Sequence, residues 1–135
     1  MIAIIPDILL LLFPFLMLAF KLFLTQAQTA HKNFAFAYLF ILLICQNFVL
    51  IGDTQVYFSN WQIDTFGIFM REIFTLSALL ALLLSENYFK HSMSEKPRLL
   101  HFSEFAASIG FATFGGIVVV SANDLLTLFL GLELA

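Results

Sequence analysis

The sequence predicts an all-α membrane protein with four full transmembrane helices and the first half of a fifth. Of its 135 residues, 61% are hydrophobic and only 11% are charged, whereas soluble domains average about 45–50% and about 25%. Several apolar runs reach about 20 residues, which is the length that crosses a hydrocarbon core of about 30 Å. We interpret the chain as a single transmembrane domain, 1–135, with spans at about 4–24, 34–52, 66–89, 103–120 and, incomplete, 124–135.

The composition also argues against several classes of function. The lone Cys45 excludes an internal disulfide, and it excludes an iron–sulfur cluster or cysteine-based zinc site made by this chain alone. Six Lys and Arg residues without a basic cluster give no nucleic-acid signature. His31, His91 and His101 fit solvated loops better than a metal site. We therefore expect no cofactor or metal in this chain.

The first span is read as a retained helix, because no basic segment of a signal peptide precedes it. Pro6 and Asp7 suit the first turn of a helix, where proline loses no hydrogen bond and an acid meets the positive end of the helix dipole. Pro14 should kink the span. Lys21 lies where a long side chain can reach the headgroups.

Polar residues interrupt the second span at Gln46 and Asn47. We expect them to form hydrogen bonds between helices, and a direct place in an ion path is the alternative. The connector that follows is rich in aromatic residues. Two short apolar runs around Ser59 and Asn60 permit a small β-hairpin there.

Arg71 and Glu72 lie in the first third of the third span. Adjacent residues on a helix point about 100° apart, so these two do not face each other. One interpretation is that Arg71 reaches outward to the headgroups while Glu72 meets a partner on another helix. The other is that one of them lies on a polar axis inside the membrane.

The fourth span carries small residues every four positions, at Ser108, Ala112 and Gly116, a pattern typical of close helix contact. Asp124 then predicts the N-cap of the last helix. Glu133 follows nine residues later, roughly 13 Å along the axis, near the middle of the membrane. A carboxylate there suits a proton relay, and the alternative is a static buried acid that a partner or its own proton neutralises.

The distribution of basic residues predicts the orientation of the chain. Lys and Arg lie in the loops after the first and third spans, whereas the loop after the second span has none. The basic loops should face the cytoplasm or the mitochondrial matrix. Glu133 would then be approached from the side of the N-terminus.

The run from Ser121 to Leu134, S-A-N-D-L-L-T-L-F-L-G-L-E-L, is similar to the fifth transmembrane segment of the N-type, antiporter-like subunit of respiratory complex I. In that family, S-L-x-L-Y follows. The resemblance extends to Pro6-Asp7, to Ile63-Asp64 and to the cation at Arg71, where family members often carry Lys. A Leu rather than a bulky aromatic residue directly before Glu133 favours the N type over the M and L types.

The resemblance implies an antiporter-like helix bundle and a role in proton translocation powered by NADH oxidation and quinone reduction. Glu133 matches the glutamate that pairs with a lysine on a later broken helix, and Arg71 and Glu72 are weaker candidates for the same path. Flavin, iron–sulfur clusters and quinone are expected in other subunits of the complex. The implied partners are the M-type and K-type subunits and membrane lipids, and the implied location is the mitochondrial inner membrane, or alternatively a bacterial one.

Full members of this family have around fourteen spans, so this chain departs from them in length. A split gene is our expectation, with a second polypeptide that carries the rest of the N-type subunit and begins near S-L-x-L-Y. Two alternatives remain open. The chain could be a fragment of a multi-subunit cation/proton antiporter, or a structural piece of the membrane arm in which Glu133 is inert.

Overall fold

The computed structural model describes residues 4–23, 28–49, 55–57, 61–91 and 98–135. Helices account for nearly all of these residues, and a two-stranded hairpin lies between the second and third helices. The elements are α1 Ile5–Phe23, α2 Gln28–Val49, β1 Gln55–Tyr57, β2 Trp61–Ile63, α3 Thr65–His91, α4 Arg98–Ser121 and α5 Leu125–Leu134.

Each predicted span overlaps one helix, but α2 begins six residues before the expected start at 34 and α4 begins five residues before the expected start at 103. Within the described residues, 65–85 and 102–121 are long and apolar enough to cross a membrane, and 5–19, 32–47 and 125–134 are shorter apolar helices. The molecule is thus an all-α membrane protein. The hairpin is confirmed, because Tyr57 pairs with Trp61 in antiparallel register.

Capping aspartates explain where α3 and α5 begin. The Asp64 carboxylate accepts the backbone N–H of Gly67 at 2.6 Å, which is the contact of an N-cap residue with the third residue of α3. Asp124 does the same for α5. Between α4 and α5 the chain turns within residues 122–124, and Ala122 forms an isolated β-bridge with Trp61.

The core lies among α1, α2, α3 and α4, and α4 packs against α1, α3 and α5. Glycines of α4 allow three neighbouring helices to approach it closely. Gly110 faces Phe13 and Pro14 of α1, and Gly116 faces the ring of Phe74 on α3. The core consists of large apolar side chains, including Leu10, Phe13, Met17, Leu39, Leu42, Leu82, Phe102 and Ile117.

The small-residue stripe expected on α4 is wrong in two of its three members. Ser108 and Ala112 are exposed, and only Gly116 is buried. The close approaches are made by glycines instead. A Cβ atom on Gly115 would lie 2.5 Å from the backbone nitrogen of Ala135, so α4 and α5 touch backbone to backbone.

Large apolar side chains also cover the outside of the bundle. On α5 alone they include Leu125, Leu126, Phe129, Leu130 and Leu132, each more than half exposed. Soluble monomers rarely expose a contiguous apolar surface of this kind. It fits a chain surrounded by lipid and by other protein segments.

Candidate functional site

A buried ion pair joins the first turn of α1 to the second turn of α3. The Arg71 guanidinium lies with one nitrogen 3.3 Å from a carboxylate oxygen of Asp7, and each residue is only 3% exposed. The interpretation that Arg71 reaches outward to the headgroups is therefore wrong. Its cation lies inside the bundle, where an ion pair tolerates burial only when both charges find partners.

The same guanidinium also contacts the end of α4. A second terminal nitrogen of Arg71 donates to the hydroxyl of Ser121, and that hydroxyl donates to the carbonyl of Ile117 at 2.7 Å. The cation thus lies at the C-terminal end of α4, where the helix dipole is negative. Three helix ends, the starts of α1 and α3 and the end of α4, meet at Arg71.

Several polar atoms around Arg71 have no hydrogen-bond partner among the described residues. They include the Arg71 Nε, both carboxylate oxygens of Asp7 and the indole nitrogen of Trp61. The indole lies near the Asp7 carboxyl without reaching hydrogen-bond geometry. A cavity of about 200 Å³ adjoins them, lined by Asp7 and Trp61 among apolar side chains. The charged cluster therefore borders a partly open space whose surface is apolar.

A hydrogen-bonded link connects this cluster to α2. The Gln46 side-chain amide donates to the Thr75 hydroxyl at 3.0 Å, and that hydroxyl donates to the carbonyl of Arg71 at 2.9 Å. The expected interhelical role of Gln46 is confirmed. Asn47 differs, because its amide donates to the carbonyl of Leu43 within α2, one turn earlier, and its side chain is exposed.

Glu72 is half-buried beside Arg71 in sequence, and one of its carboxylate oxygens is buried without a hydrogen-bond partner among the described residues. Its expected partner on another helix is thus not among those the structure describes. The two residues diverge on α3, as their helical spacing requires. Arg71 belongs to the cluster, and Glu72 does not share its contacts.

The start of α5 is fixed by its cap, as expected. The Asp124 carboxylate accepts the backbone N–H of Thr127 at 2.8 Å, and its backbone is extended. Hydrogen bonds from the hydroxyl and the backbone N–H of Thr127 hold the pKa of Asp124 below its ordinary value of 3.8. The cap is therefore fully formed at neutral pH.

Glu133 projects away from the bundle. Gly131 is the buried residue of α5, and its Cα faces Val119 and Gly115 of α4. Two residues further on, at about 100° per residue, Glu133 lies roughly opposite that contact and is exposed. The structure thus does not bring Glu133 together with Arg71 or Glu72. Its side chain faces whatever covers the outer side of α5.

The opposite end of the bundle carries a second ion pair. Lys21, near the end of α1, contacts the carboxylate of Glu104 on α4, with side chains 25% and 49% exposed. Nearby, the ammonium of Lys32 lies 5.9 Å from the centre of the Phe102 ring. Lys21 was expected to extend to the headgroups, and its ammonium group also pairs with an acidic side chain.

Sequence reasoning did not propose Asp7, Thr75 or Ser121 as site residues, yet all three belong to the cluster around Arg71. The available signal was an acid and a base in apolar helices of the same chain, which pair far more often than they stay apart. Among the described residues, no three His, Cys, Asp or Glu side chains are grouped to bind a metal ion.

Fold and site together define an integral-membrane helix bundle that holds an internal ion pair and presents a carboxylate outward from its last helix. No family model matches the chain. It is, however, 36% identical to the NADH-quinone oxidoreductase subunit N of Heliobacterium modesticaldum, over 82% of this chain and 23% of that protein. The NAD(P)H-quinone oxidoreductase subunit 2 of the Chlorokybus atmophyticus chloroplast is 33% identical, over 67% and 18%.

A third relative, the F(420)H(2) dehydrogenase subunit N of Methanosarcina mazei, is 35% identical over 59% of this chain and 15% of its own length. By these matches the chain belongs to the family of N-type subunits of complex I. It spans about a fifth of the length of the curated relatives it matches.

Proposed function

We propose that this chain forms the N-terminal part of the proton-pumping N-type subunit in the membrane arm of an NADH:quinone oxidoreductase. In this role it helps couple NADH oxidation and quinone reduction to proton translocation, without a catalytic centre of its own. The observation that carries the proposal is the identity to subunit N proteins over most of the chain. The names of the relatives differ in electron donor, which fits a donor site in another subunit.

Glu133 is the proposed proton-carrying residue. It lies on an apolar helix and faces away from α1–α4, so its cationic partner comes from residues beyond those described. A carboxylate placed between two protein segments can take up a proton when its cationic partner withdraws and release it when the partner returns. Glu72, with a buried oxygen that lacks a partner among the described residues, is a second candidate on the same path.

The exposed apolar face of α5 supports a further part of this proposal. Residues equivalent to the rest of the relatives would cover that face and complete the fifth span, so that the chain contributes four full spans and half of another. Neighbouring M-type and K-type subunits, together with lipid, would cover the outside of α1 and α3. The mitochondrial inner membrane is the proposed location, with a bacterial or chloroplast membrane as the alternative.

Replacement of the carboxylate tests the proton-carrying role. Glu133→Gln keeps the shape of the side chain and removes its charge, so NADH-driven proton pumping in membrane vesicles should fall on the order of tenfold or more at an unchanged level of assembled complex. Glu104→Gln is the matched control, because Glu104 is also an exposed glutamate of an apolar helix. It should leave pumping near the wild-type rate.

Two results would count against the proposal. Full pumping in Glu133→Gln would assign the chain a structural role in the membrane arm. Cation/proton exchange in the absence of any quinone-reducing activity in the purified assembly would instead favour an antiporter fragment. Intact-mass analysis of the native complex then determines whether a second polypeptide beginning near S-L-x-L-Y, or the same one, covers α5.

A further inference from the structure

We infer that Arg71 is a positioning residue for Glu133, acting through Ser121 on the turn from which α5 begins. The inference rests on the proposed function of Glu133. Arg71 and Glu133 do not touch, so the effect passes along the chain from α4 to α5. No residue of the cluster needs to carry a proton itself for this to hold.

The first step is the anchoring of the end of α4. Ser121 is the last residue of α4 and is only 1% exposed. Its hydroxyl accepts from Arg71 while donating to the carbonyl of Ile117. Because Asp7 holds the other side of the same guanidinium, the end of α4 is tied to α1 and α3 together.

The second step is the short connection to α5. Only residues 122–124 separate Ser121 from Leu125, the first residue of α5. Ala122 is bridged to Trp61 of the hairpin, and Asp124 caps α5. A connection this short, held at Ala122 and Asp124, transmits the position of the α4 end to the start of α5.

The third step is the contact that sets the rotation of α5. A Cβ atom on Gly131 would lie 2.8 Å from both the backbone nitrogen and a side-chain methyl carbon of Val119, and 3.1 Å from the Gly115 carbonyl oxygen, so the backbone of α5 packs closely on α4 at this residue. With its start anchored near Ser121 and its middle seated at Gly131, α5 has one orientation. That orientation aims Glu133 outward, two residues beyond the glycine contact.

The tie at Arg71 has a natural comparison in the same fold. Lys21 and Glu104 also join α1 to α4 by an ion pair, but they lie at the other end of the bundle, far from the α4–α5 turn. If Arg71 only held α1 against α4, loss of either ion pair would have the same kind of effect, and the two effects would differ only because one pair is more buried. If it positions α5, changes at Arg71 or Ser121 reach Glu133, whereas changes at Lys21 do not.

Ser121→Ala tests the inference because it removes the hydroxyl without disturbing either charge. In the assembled complex, amides of 122–135 should exchange hydrogen on the order of tenfold faster, the factor that loss of one hydrogen bond to a charged group predicts. Turnover per assembled complex should fall roughly threefold to tenfold, since a displacement of about 1 Å at a reacting group can cost about 100-fold and the loss of one hydrogen bond should displace Glu133 by less than that. The KM for quinone should not change.

Lys21→Met serves as the matched control and should change neither measurement. Ser121→Thr is the second variant, since threonine keeps the hydroxyl that accepts from Arg71, and it should show exchange and turnover near those of the wild type. Unchanged exchange in 122–135 of Ser121→Ala, or faster exchange with unchanged turnover per complex, would overturn the inference. So would loss of complex with normal turnover in what remains. The proposed function is tested by a different measurement, and it would fail if Glu133→Gln pumped protons at the full rate.

Discussion

Asp7 and Glu133 are two carboxylates in apolar helices, and the fold treats them in opposite ways. Asp7 is 3% exposed and pairs with Arg71 inside the bundle. Glu133 is exposed on the far side of α5 and finds no charge partner among the described residues. The first carboxylate has its counter-charge within this chain, whereas the proposed site at Glu133 would need a partner from beyond the described residues. The difference teaches that charge in a membrane helix marks function most clearly where the fold leaves it open.

The largest expected effect comes from breaking the buried ion pair. Arg71→Met removes the cation and leaves Asp7 buried without its partner, and loss of one member of a buried pair typically costs about 3–5 kcal/mol. We expect little assembled complex in membranes that carry this variant, as measured by native electrophoresis.

The double variant Asp7→Leu with Arg71→Met sharpens this prediction. With both charges gone and apolar side chains in their place, most of the assembled complex should return. An equal amount of complex in Arg71→Met and in the wild type would contradict the view that the pair is needed. The double variant should still lack normal turnover if Arg71 also positions α5.

A smaller effect is expected where α5 meets α4. Gly131→Ala places a Cβ atom against the backbone of Val119 and Gly115, and overpacking of this kind costs about 1–3 kcal/mol. The midpoint of thermal inactivation should fall. Leu130→Ala is the control, because Leu130 is 55% exposed and its truncation meets no backbone. A Gly131→Ala complex as heat-resistant as the wild type would show that the two helices can separate freely.

The exposed ion pair should matter much less than the buried one. Lys21 and Glu104 are partly solvated, and exposed pairs contribute less than about 1 kcal/mol. Lys21→Met should therefore lower the midpoint of thermal inactivation only slightly, and the difference should shrink further at high salt. A loss as large as that of Arg71→Met would remove the distinction between the two ends of α1.

The smallest effect concerns the cap of α5 and its dependence on pH. The pKa of Asp124 is lowered in the folded chain by its hydrogen bonds from Thr127. The stabilisation is present above the ordinary pKa of 3.8 and is lost as the pH falls through the lower folded value. Exchange protection of the Thr127 amide, corrected for intrinsic rates, should stay constant from neutral pH down to that range. Asp124→Asn should retain the protection at every pH, since asparagine also caps, and Asp124→Ala should lack it.

Local rules were enough to predict much of the fold. Asp124 predicted the start of α5, because capping depends only on residues up to three positions away. Short apolar runs around a turn predicted the hairpin. The helices themselves followed from apolar length. Their packing did not, since the choice of Gly115 over Ala112 as the contact with α5 depends on how α4 is rotated between three neighbours.

The candidate site was predictable only in part, for a related reason. Glu133 stands out because a carboxylate among leucines is anomalous in any packing. The role of Arg71 was not predictable, because its partners Asp7 and Ser121 lie on other helices and far away in the sequence. The position of Arg71 on α3 was compatible with an outward or an inward side chain. Its pairing with Asp7 shows that it points inward.

The pairing of Asp7 with Arg71 also bears on the order in which the chain enters the membrane. During synthesis α1 is made and inserted before Arg71 is made. Asp7 therefore enters the membrane without its counter-charge. Because Asp7 is in the first turn of α1, it can lie at the polar surface of the membrane at this stage. We expect α1 to dock only after α3 and α4 have been inserted, as helices associate after insertion. An acid in α1 thus makes the docking of the earliest helix depend on a base made later, and a chain arrested before Arg71 keeps an unmatched carboxylate that distinguishes it from a finished one.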